Sequence, residues 1–141
     1  MNFLKSLETS ASGLYAQRKR MDIIASNLAN IETTRTENGG PYRRKMVVMK
    51  TKEVDQDFDK MFSSSVKGVQ IEDIVEDQTA LKKVYNPSHP DADSDGYLYK
   101  PNVDLIVETT NMMMARRAFE ANIAAIKATR QMAIKALEIG R

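Results

Sequence analysis

The chain has 141 residues, of which 42% are hydrophobic, and its formal net charge is +2. This length fits one ordinary domain, and a charge so close to zero does not indicate a nucleic-acid partner. The absence of cysteine excludes disulfides, cysteine-ligated zinc and thiol catalysis. No apolar run is long enough for a membrane span, and residues 1–30 lack the uninterrupted apolar stretch of a secretory signal. We therefore expect any export to proceed without a cleaved leader of that kind.

Residues 2 to about 32 have the pattern of a long amphipathic helix. Its main apolar positions recur at seven-residue spacing, namely Leu7, Leu14, Met21 and Leu28. This spacing predicts a coiled-coil-like seam. Gly13 costs such a helix about 1 kcal/mol relative to alanine. The small residues around Gly13 would offset this cost, because they allow the backbone of another segment to approach closely.

Asn27 and Asn30, near the end of this helix, have two readings. Isolated asparagines on an assembling helix set its register by pairing across an interface. They also occur simply as polar residues at a helix end, here ahead of Thr33 and Thr34. Periodicity alone leaves both readings open.

The middle of the chain, residues 36–101, has a different pattern and predicts a small β-rich insert. Strands are predicted over residues 42–50 and 69–75 and, more weakly, 81–85, because apolar and β-branched residues alternate with polar ones there. Residues 86–101 follow as an extended loop, which carries the chain into the second helix with Asn102 or Asp104 available as its N-cap.

Residues 103–139 have the pattern of a second long helix, which Gly140 ends. Its large apolar face consists of Met112, Ala115, Phe119, Ile123, Ile126, Ile134 and Leu137. A stripe of small residues lies beside it, namely Ala115, Ala118, Asn122, Ala125, Thr129, Ala133 and Ala136. Together these faces cover more of the helix than one partner helix requires.

The predicted fold is therefore mainly α with a small β-rich insert (α+β). Residues 1–35 and 102–141 form a helical domain in which the two terminal helices pair as an antiparallel coiled coil, and residues 36–101 form the insert. Two helices alone bury one face each, so the small-residue stripe is expected to stay exposed in a monomer. Contiguous exposed apolar surface marks an interaction site, which predicts assembly with copies of the same chain or with partners.

A calcium site is the main chemical alternative. Asp91, Asp93 and Asp95, followed by Gly96, match the first positions of an EF-hand loop. The twelfth position is Asn102, which cannot supply a bidentate carboxylate. Two prolines also stand where the entering helix should be. We prefer a turn-rich loop whose aspartates accept backbone N–H groups, and keep a calcium-binding helical protein as the alternative function.

Other chemistry has little support in the sequence. His89 is the only histidine, so neither a His–His metal pair nor a triad with a second histidine is available. No catalytic or phosphate-binding motif is present. Basic clusters at residues 18–20 and 43–45 are diluted by acidic neighbours, which favours a solvated face or a subunit contact over nucleic-acid binding. We predict no enzyme activity, no cofactor and no small-molecule substrate.

Three segments resemble the bacterial flagellar axial proteins, the rod and hook family. They are "SGLYAQRKRMDIIASNLANIETTRT" (12–36), "PYRRKMVVM" (41–49), and "NPSHPDADSDGYLYKPNVDLIVE" (86–108) followed by "NMMMARRAFEANI" (111–123). The last of these narrows the resemblance to the proximal rod members. Residues 26–30 depart mildly from the family, which often has a second Asn and an Ile there.

The resemblance implies a structural protein that is exported unfolded through the flagellar type III apparatus. Such proteins stack in the periplasm, with copies of themselves and with other rod proteins, as a helical tube that transmits torque from motor to hook. The paired terminal helices line the inner part of that tube. The resemblance favours Asn27 and Asn30 as interface residues.

The predicted assembly interface consists of Leu7, Leu14, Met21, Asn27, Leu28, Asn30, Met112, Ala115, Ala118, Phe119, Asn122, Ile123, Ile126 and Leu137. The loop that is most specific to the family comprises Asn86, Pro87, His89, Pro90, Asp91, Asp93, Gly96, Tyr97, Pro101 and Asn102. We expect this loop to influence the choice of neighbours in the rod.

Overall fold

Two long helices flank four short strands in the computed structural model, which describes residues 3–37, 39–53 and 67–140. The elements in chain order are α1 (Phe3–Ala29), β1 (Lys45–Glu53), β2 (Lys67–Glu76), β3 (Lys82–Tyr85), β4 (Tyr97–Lys100) and α2 (Leu105–Ile139). The predicted α+β fold is confirmed. Residues 54–66, which belong to the predicted insert, lie outside the described residues.

The two helices run antiparallel along their length. Asn27 of α1 bonds to Glu108 of α2, and Gly13 lies against Asn122 further along. A Cβ atom on Gly13 would lie only 3.0 Å from Nδ2 of Asn122, so glycine permits the close approach that the surrounding small residues predict. At the far end, Phe3 lines a groove together with residues of the last turns of α2. These pairs confirm the predicted antiparallel arrangement.

The faces through which the helices pack differ from the predicted ones. The most buried residues of α1 are Ala16, Ile24 and Asn27, whereas the heptad positions from Leu7 to Leu28 are half-buried. On α2, Ala115 and Thr129 of the small-residue stripe are buried. The expectation that this stripe stays exposed is therefore wrong at these positions. Small side chains let the backbones approach, so they form the centre of the contact and the larger residues lie beside it.

The strands form two separate antiparallel hairpins, β1–β2 and β3–β4. The first lies against α1, where the backbone N–H of Val69 donates to Oγ of Ser12 over 3.1 Å. Strands β1 to β3 match the three predicted strands, and none of their ends is shifted by more than three residues. Strand β4 lies inside the segment that was predicted as a loop. Its four residues are too short for a clear alternation, although Leu98 points inward and is only 2% exposed.

Helix α2 begins at Leu105 because Asp104 caps it. The Asp104 carboxylate accepts hydrogen bonds from the backbone N–H groups of Ile106 and Val107 over 2.9 and 3.1 Å, which satisfies donors that have no partner inside the helix. Of the two predicted caps, Asp104 is the one used. No helix in the described part of the chain combines the length and the apolar character needed to cross a bilayer.

Candidate assembly surface and the polar network beneath it

A buried asparagine lies where α1, α2 and β1 meet. Nδ2 of Asn27 donates to the backbone oxygen of Lys45 over 2.9 Å and to Oε2 of Glu108 over 3.0 Å. Its Oδ1 accepts from the Tyr42 hydroxyl over 3.0 Å and from the Lys45 N–H over 2.9 Å. A primary amide offers two donors and two acceptor lone pairs, so every hydrogen-bonding position of Asn27 is occupied within the chain.

This placement corrects the predicted role of Asn27 at a subunit interface. The residue is 1% exposed and its amide is fully used inside the chain. Asn30, by contrast, is half-buried and makes local bonds, donating to the backbone oxygen of Ser26 and accepting from the Thr33 hydroxyl. Asn30 therefore fits the interpretation as a polar residue at a helix end. Asn27 fits neither that interpretation nor the one as a register-setting residue at an interface.

Glu108 is fully buried, yet its carboxylate is compensated on both sides. Nη2 and Nε of Arg44 lie 2.7 and 2.9 Å from Oε1, while Asn27 donates to Oε2. A buried carboxylate without such partners would be strongly unfavourable, because desolvation penalises its charged form. Arg44 also lies 3.5 Å from the Asp77 carboxylate, which extends the network to the end of β2.

Asn102 joins the connector before α2 to the same network. Its Oδ1 accepts from the backbone N–H of Arg44 over 2.9 Å. Its Nδ2 donates to the hydroxyl of Thr79 over 2.9 Å and to the backbone oxygen of Asp77 over 3.1 Å. Asn102 therefore connects two segments and does not act as the N-cap of α2.

Two carboxyl groups near this junction have pKa values below their usual range. The backbone N–H and hydroxyl of Thr79, with a smaller contribution from Arg44, lower the pKa of Asp77. The backbone N–H groups of Val107 and Ile106, together with the charge of Lys82, lower the pKa of Asp104. In both cases donors in the folded chain favour the ionised carboxylate.

Three residues of the network, Glu108, Arg44 and Tyr42, are not among the predicted site residues. One signal for Glu108 was available, because it stands one heptad before Ala115 on the small-residue stripe. A charged residue on a face that packs against another helix requires a partner, and the basic cluster at 43–45 contains it. Nothing in the sequence pattern singles out Tyr42.

The aspartate loop adopts the turn-rich structure predicted for it. The Asp93 carboxylate accepts from the backbone N–H groups of Asp95 and Tyr97, over 3.1 and 2.8 Å. Asp91 accepts instead from the hydroxyl of Thr34 over 2.8 Å. These two carboxylates therefore serve turn and loop contacts. Within the described ranges no group of three or more His, Asp or Glu side chains is arranged to hold a metal ion.

The rest of the family-specific loop folds back on the β3–β4 hairpin. His89 accepts the backbone N–H of Asp91 at Nδ1, and the backbone N–H of Asn86 donates to the oxygen of Gly96. Gly96 has a φ of +77°, and a Cβ there would lie 3.0 Å from the Tyr85 ring and 3.1 Å from Cβ of Pro87. Pro101 is buried, whereas Pro87 and Pro90 are exposed.

A second apolar stripe of α2 lies beside the face that packs on α1, and we call it the outer stripe. Its members recur at helical spacing and all are exposed: Val107, Met114, Ala121, Ala125, Ala128, Met132 and Ile139. Met114, Met132 and Ile139 are 59, 60 and 86% exposed. The unpartnered apolar surface that the sequence predicts is therefore present, but of the predicted small-residue stripe only Ala125 belongs to it.

The predicted interface residues other than Asn27 divide into three groups in the structure. Ala115 is buried against α1, and Asn122 packs on Gly13. Leu137 is 75% exposed near the end of α2. The other members are half-buried at the edges of the helix pair: Leu7, Leu14, Met21, Leu28, Asn30, Met112, Ala118, Phe119, Ile123 and Ile126.

Comparison with known proteins identifies the family. The family profile "Flagella basal body rod protein" matches residues 7–35, and "Flagellar basal body rod FlgEFG protein C-terminal" matches residues 94–139. "Flagellar basal-body rod protein FlgC" of Bacillus subtilis is 43% identical over all of both chains. The FlgC proteins of Borreliella burgdorferi and Salmonella typhimurium are 37 and 36% identical, covering 99 and 100% of this chain and 98 and 100% of their own lengths. Because such matches extend over essentially the whole chain, it belongs to the FlgC family of flagellar basal-body rod proteins.

Proposed function

We propose that this structural rod subunit assembles through the outer stripe of α2, with copies of itself and with other rod proteins. The assembled helical tube transmits torque from the motor to the hook. The observation that carries the proposal is a row of exposed apolar side chains, from Val107 to Ile139, along a 35-residue helix whose neighbouring face is occupied by α1. Contiguous apolar surface of this kind is typical of a surface that is covered by a partner.

The energetics favour contacts with several neighbours. Burial of roughly 400 Å² of apolar surface along the stripe would contribute about 10 kcal/mol at 25 cal/mol per Å². Association costs about 4–15 kcal/mol in lost translational and rotational freedom, so a single contact of this size is marginal. A subunit held by several neighbours shares that cost among its contacts, as a helical tube requires.

A charge placed on the stripe tests the proposal. Ala125→Glu introduces a carboxylate in the middle of the outer stripe, at an exposed position where both residues are good helix formers. In a flagellated host that lacks its own FlgC, we expect this variant to fold but to be absent from isolated basal bodies, and the cells to be non-motile. Normal incorporation of Ala125→Glu would contradict the proposal.

Gln131→Glu is the matched control. It introduces the same charge on the same exposed helix, but about 100° per residue places position 131 outside the outer stripe. We expect this variant to enter rods normally. Circular dichroism of both purified variants separates failed assembly from failed folding.

We further propose that the chain reaches the periplasm through the flagellar type III export apparatus without losing a signal peptide. The resemblance of its N-terminal segment to axial proteins supports this route. Mass spectrometry of the protein from isolated basal bodies tests it, because the N-terminal peptide should begin at Met1, or at Asn2 after removal of the initiator. An N-terminus shortened by about 20 residues, as a secretory signal would leave it, would contradict the proposal.

A further inference from the structure

A groove lies where α1, β1 and the beginning of α2 meet, on the side of the chain that contains the polar network. It has a volume of about 390 Å³. Its apolar lining consists of Ile23, Ile24, Met46, Val47 and Met49. Arg20 and Lys45 add positive charge, and among the described residues neither forms an ion pair. Methionine side chains adapt to the shape of an apolar partner, so this groove suits an apolar segment that carries negative charge.

The opposite end of α2 has the complementary chemistry. Leu137 and Ile139 are 75 and 86% exposed, and Glu138 between them is also exposed. The last turn of α2 contains no basic residue, so the partial negative charge of the helix C-terminus adds to that of Glu138. We call residues 137–139 the helix tip.

We propose that the helix tip of one copy docks in this groove of a second copy, with Glu138 facing Arg20 and Lys45. This inference rests on the proposed function and names one contact within the assembly. The helix tip fits the groove because their charges are opposite. The groove has two cations beside an apolar lining, and the tip has one acidic residue between two exposed apolar residues.

The geometry requires that the contact joins two chains. About 26 residues of α2 separate Asn111, which lines the groove, from Leu137 in the tip, so the two features lie about 40 Å apart along one helix. A tip therefore cannot reach its own groove. A contact between two different surfaces of identical chains continues from copy to copy and generates an open helical assembly.

A charge exchange tests the contact. The variants are Arg20→Glu, Glu138→Arg and their combination, each introduced as the full chain in a host that lacks its own FlgC. Glu138→Arg is the more informative single change, because a cation near a helix C-terminus favours the helix and so does not weaken the fold. Each single variant places like charges opposite each other, so we expect the yield of crosslinks between copies to fall about tenfold or more. The combined exchange restores opposite charges and should restore the yield.

Engineered disulfides give the readout, because the chain contains no cysteine. Met49→Cys and Leu137→Cys, combined in one chain, should form a disulfide between copies in isolated basal bodies under a mild added oxidant. Within one chain these positions are far beyond the roughly 7 Å between Cα atoms that a disulfide tolerates. Gln131→Cys with Met49→Cys is the control pair and should give no crosslinked dimer.

The outcomes separate this inference from the proposed function. Crosslinks that fall in both single variants and return in the combined exchange support docking between copies. Crosslinks that are absent, or that persist in the single variants, overturn it even if Ala125→Glu still abolishes assembly. Loss in the single variants without recovery in the combined one also overturns it, because the groove would then receive another rod protein.

Discussion

Asn27 donates a 3.0 Å hydrogen bond to the buried carboxylate of Glu108 and so links the two terminal helices across 81 positions of the chain. The same amide forms hydrogen bonds with the backbone of Lys45 at the start of β1 and with the hydroxyl of Tyr42 in the loop before it. The orientation of the helix pair and the position of the first hairpin therefore depend on one side chain. Because the helices are the proposed assembly elements, this junction determines how the rest of the subunit is presented to its neighbours.

Replacement of Asn27 should be among the most destabilising single changes. Asn27→Ala removes the donor to Oε2 of Glu108, whose Oε1 keeps Arg44, and takes away the amide oxygen that accepts from the Tyr42 hydroxyl and the Lys45 N–H. An unsatisfied buried polar group costs about 1–3 kcal/mol, and partial relaxation leads us to expect a loss of about 3 kcal/mol in total. Urea unfolding followed by circular dichroism measures it.

Asn30→Ala is the control for this change, because Asn30 belongs to the same motif but its bonds are local and half-exposed. We expect it to cost about 1 kcal/mol or less. Equal losses for the two variants would show that the buried network does not provide special stability.

The Arg44–Glu108 pair should show strong coupling in a double-mutant cycle. Arg44→Met or Glu108→Gln alone leaves a poorly compensated group beside a fully buried position, which costs about 3–5 kcal/mol. The double variant should be less destabilised than the sum of the single variants, by about 1–3 kcal/mol.

The exposed pair Lys50–Glu72, with 2.9 Å between its charged atoms, is the reference cycle. Both side chains are about half exposed, so solvent screens their attraction and the coupling should be below about 1 kcal/mol. Similar coupling in the two cycles would contradict the importance of burial for the Arg44–Glu108 pair.

Much of this architecture is predictable from the sequence because it depends on local periodicity. The long helices, their antiparallel return and three of the four strands follow from apolar spacing and turn residues. The contact face of α1 was not predictable in the same way. Heptad leucines suggest a symmetric seam, but Ala16 and Gly13 permit a closer approach, and α1 contacts the first hairpin as well as α2.

The polar junction illustrates what the sequence pattern leaves open. Asn27, Arg44 and Glu108 are separated by 17 and 64 positions, and no periodicity connects them. Their meeting depends on how the hairpin is placed against the helix pair, which is a property of the tertiary structure. The same dependence explains why Asn27 was expected at a subunit interface but lies inside the chain.

Gly96 should be more sensitive to substitution than Gly39, although both have φ close to +80°. Gly96→Ala adds both backbone strain and a Cβ that would lie 3.0 Å from the Tyr85 ring, whereas nothing lies within 4 Å of a Cβ at Gly39. The backbone term alone costs about 1–2 kcal/mol for a non-glycine residue. We expect Gly39→Ala to lose about that amount and Gly96→Ala about 1 kcal/mol more through the crowding of Tyr85. Thermal unfolding of both variants measures the difference, and equal losses would rule out a contribution from that contact.

Stability should fall in acid partly because of Asp77 and Asp104, whose pKa values in the folded chain are lowered. A carboxyl group with a lowered folded pKa contributes stability that is fully present above its unfolded pKa of about 3.9 and is lost as the pH falls through the folded value. Asp104→Asn keeps a side chain that caps helices but removes this titration. We therefore expect the wild-type chain to exceed the variant in urea midpoint at pH 7, and the difference to shrink progressively below about pH 4.

The salt dependence of that difference identifies its cause. The backbone N–H of Val107 lowers the pKa of Asp104 more than the charge of Lys82 does. Addition of about 1 M salt shortens the screening length to about 3 Å and weakens the contribution of Lys82, but leaves the hydrogen bonds to the helix N-terminus largely intact. Most of the difference between wild type and Asp104→Asn at pH 7 should therefore persist in salt. Its disappearance in salt would show that attraction to the charge of Lys82, rather than capping of α2, accounts for the stabilisation by Asp104.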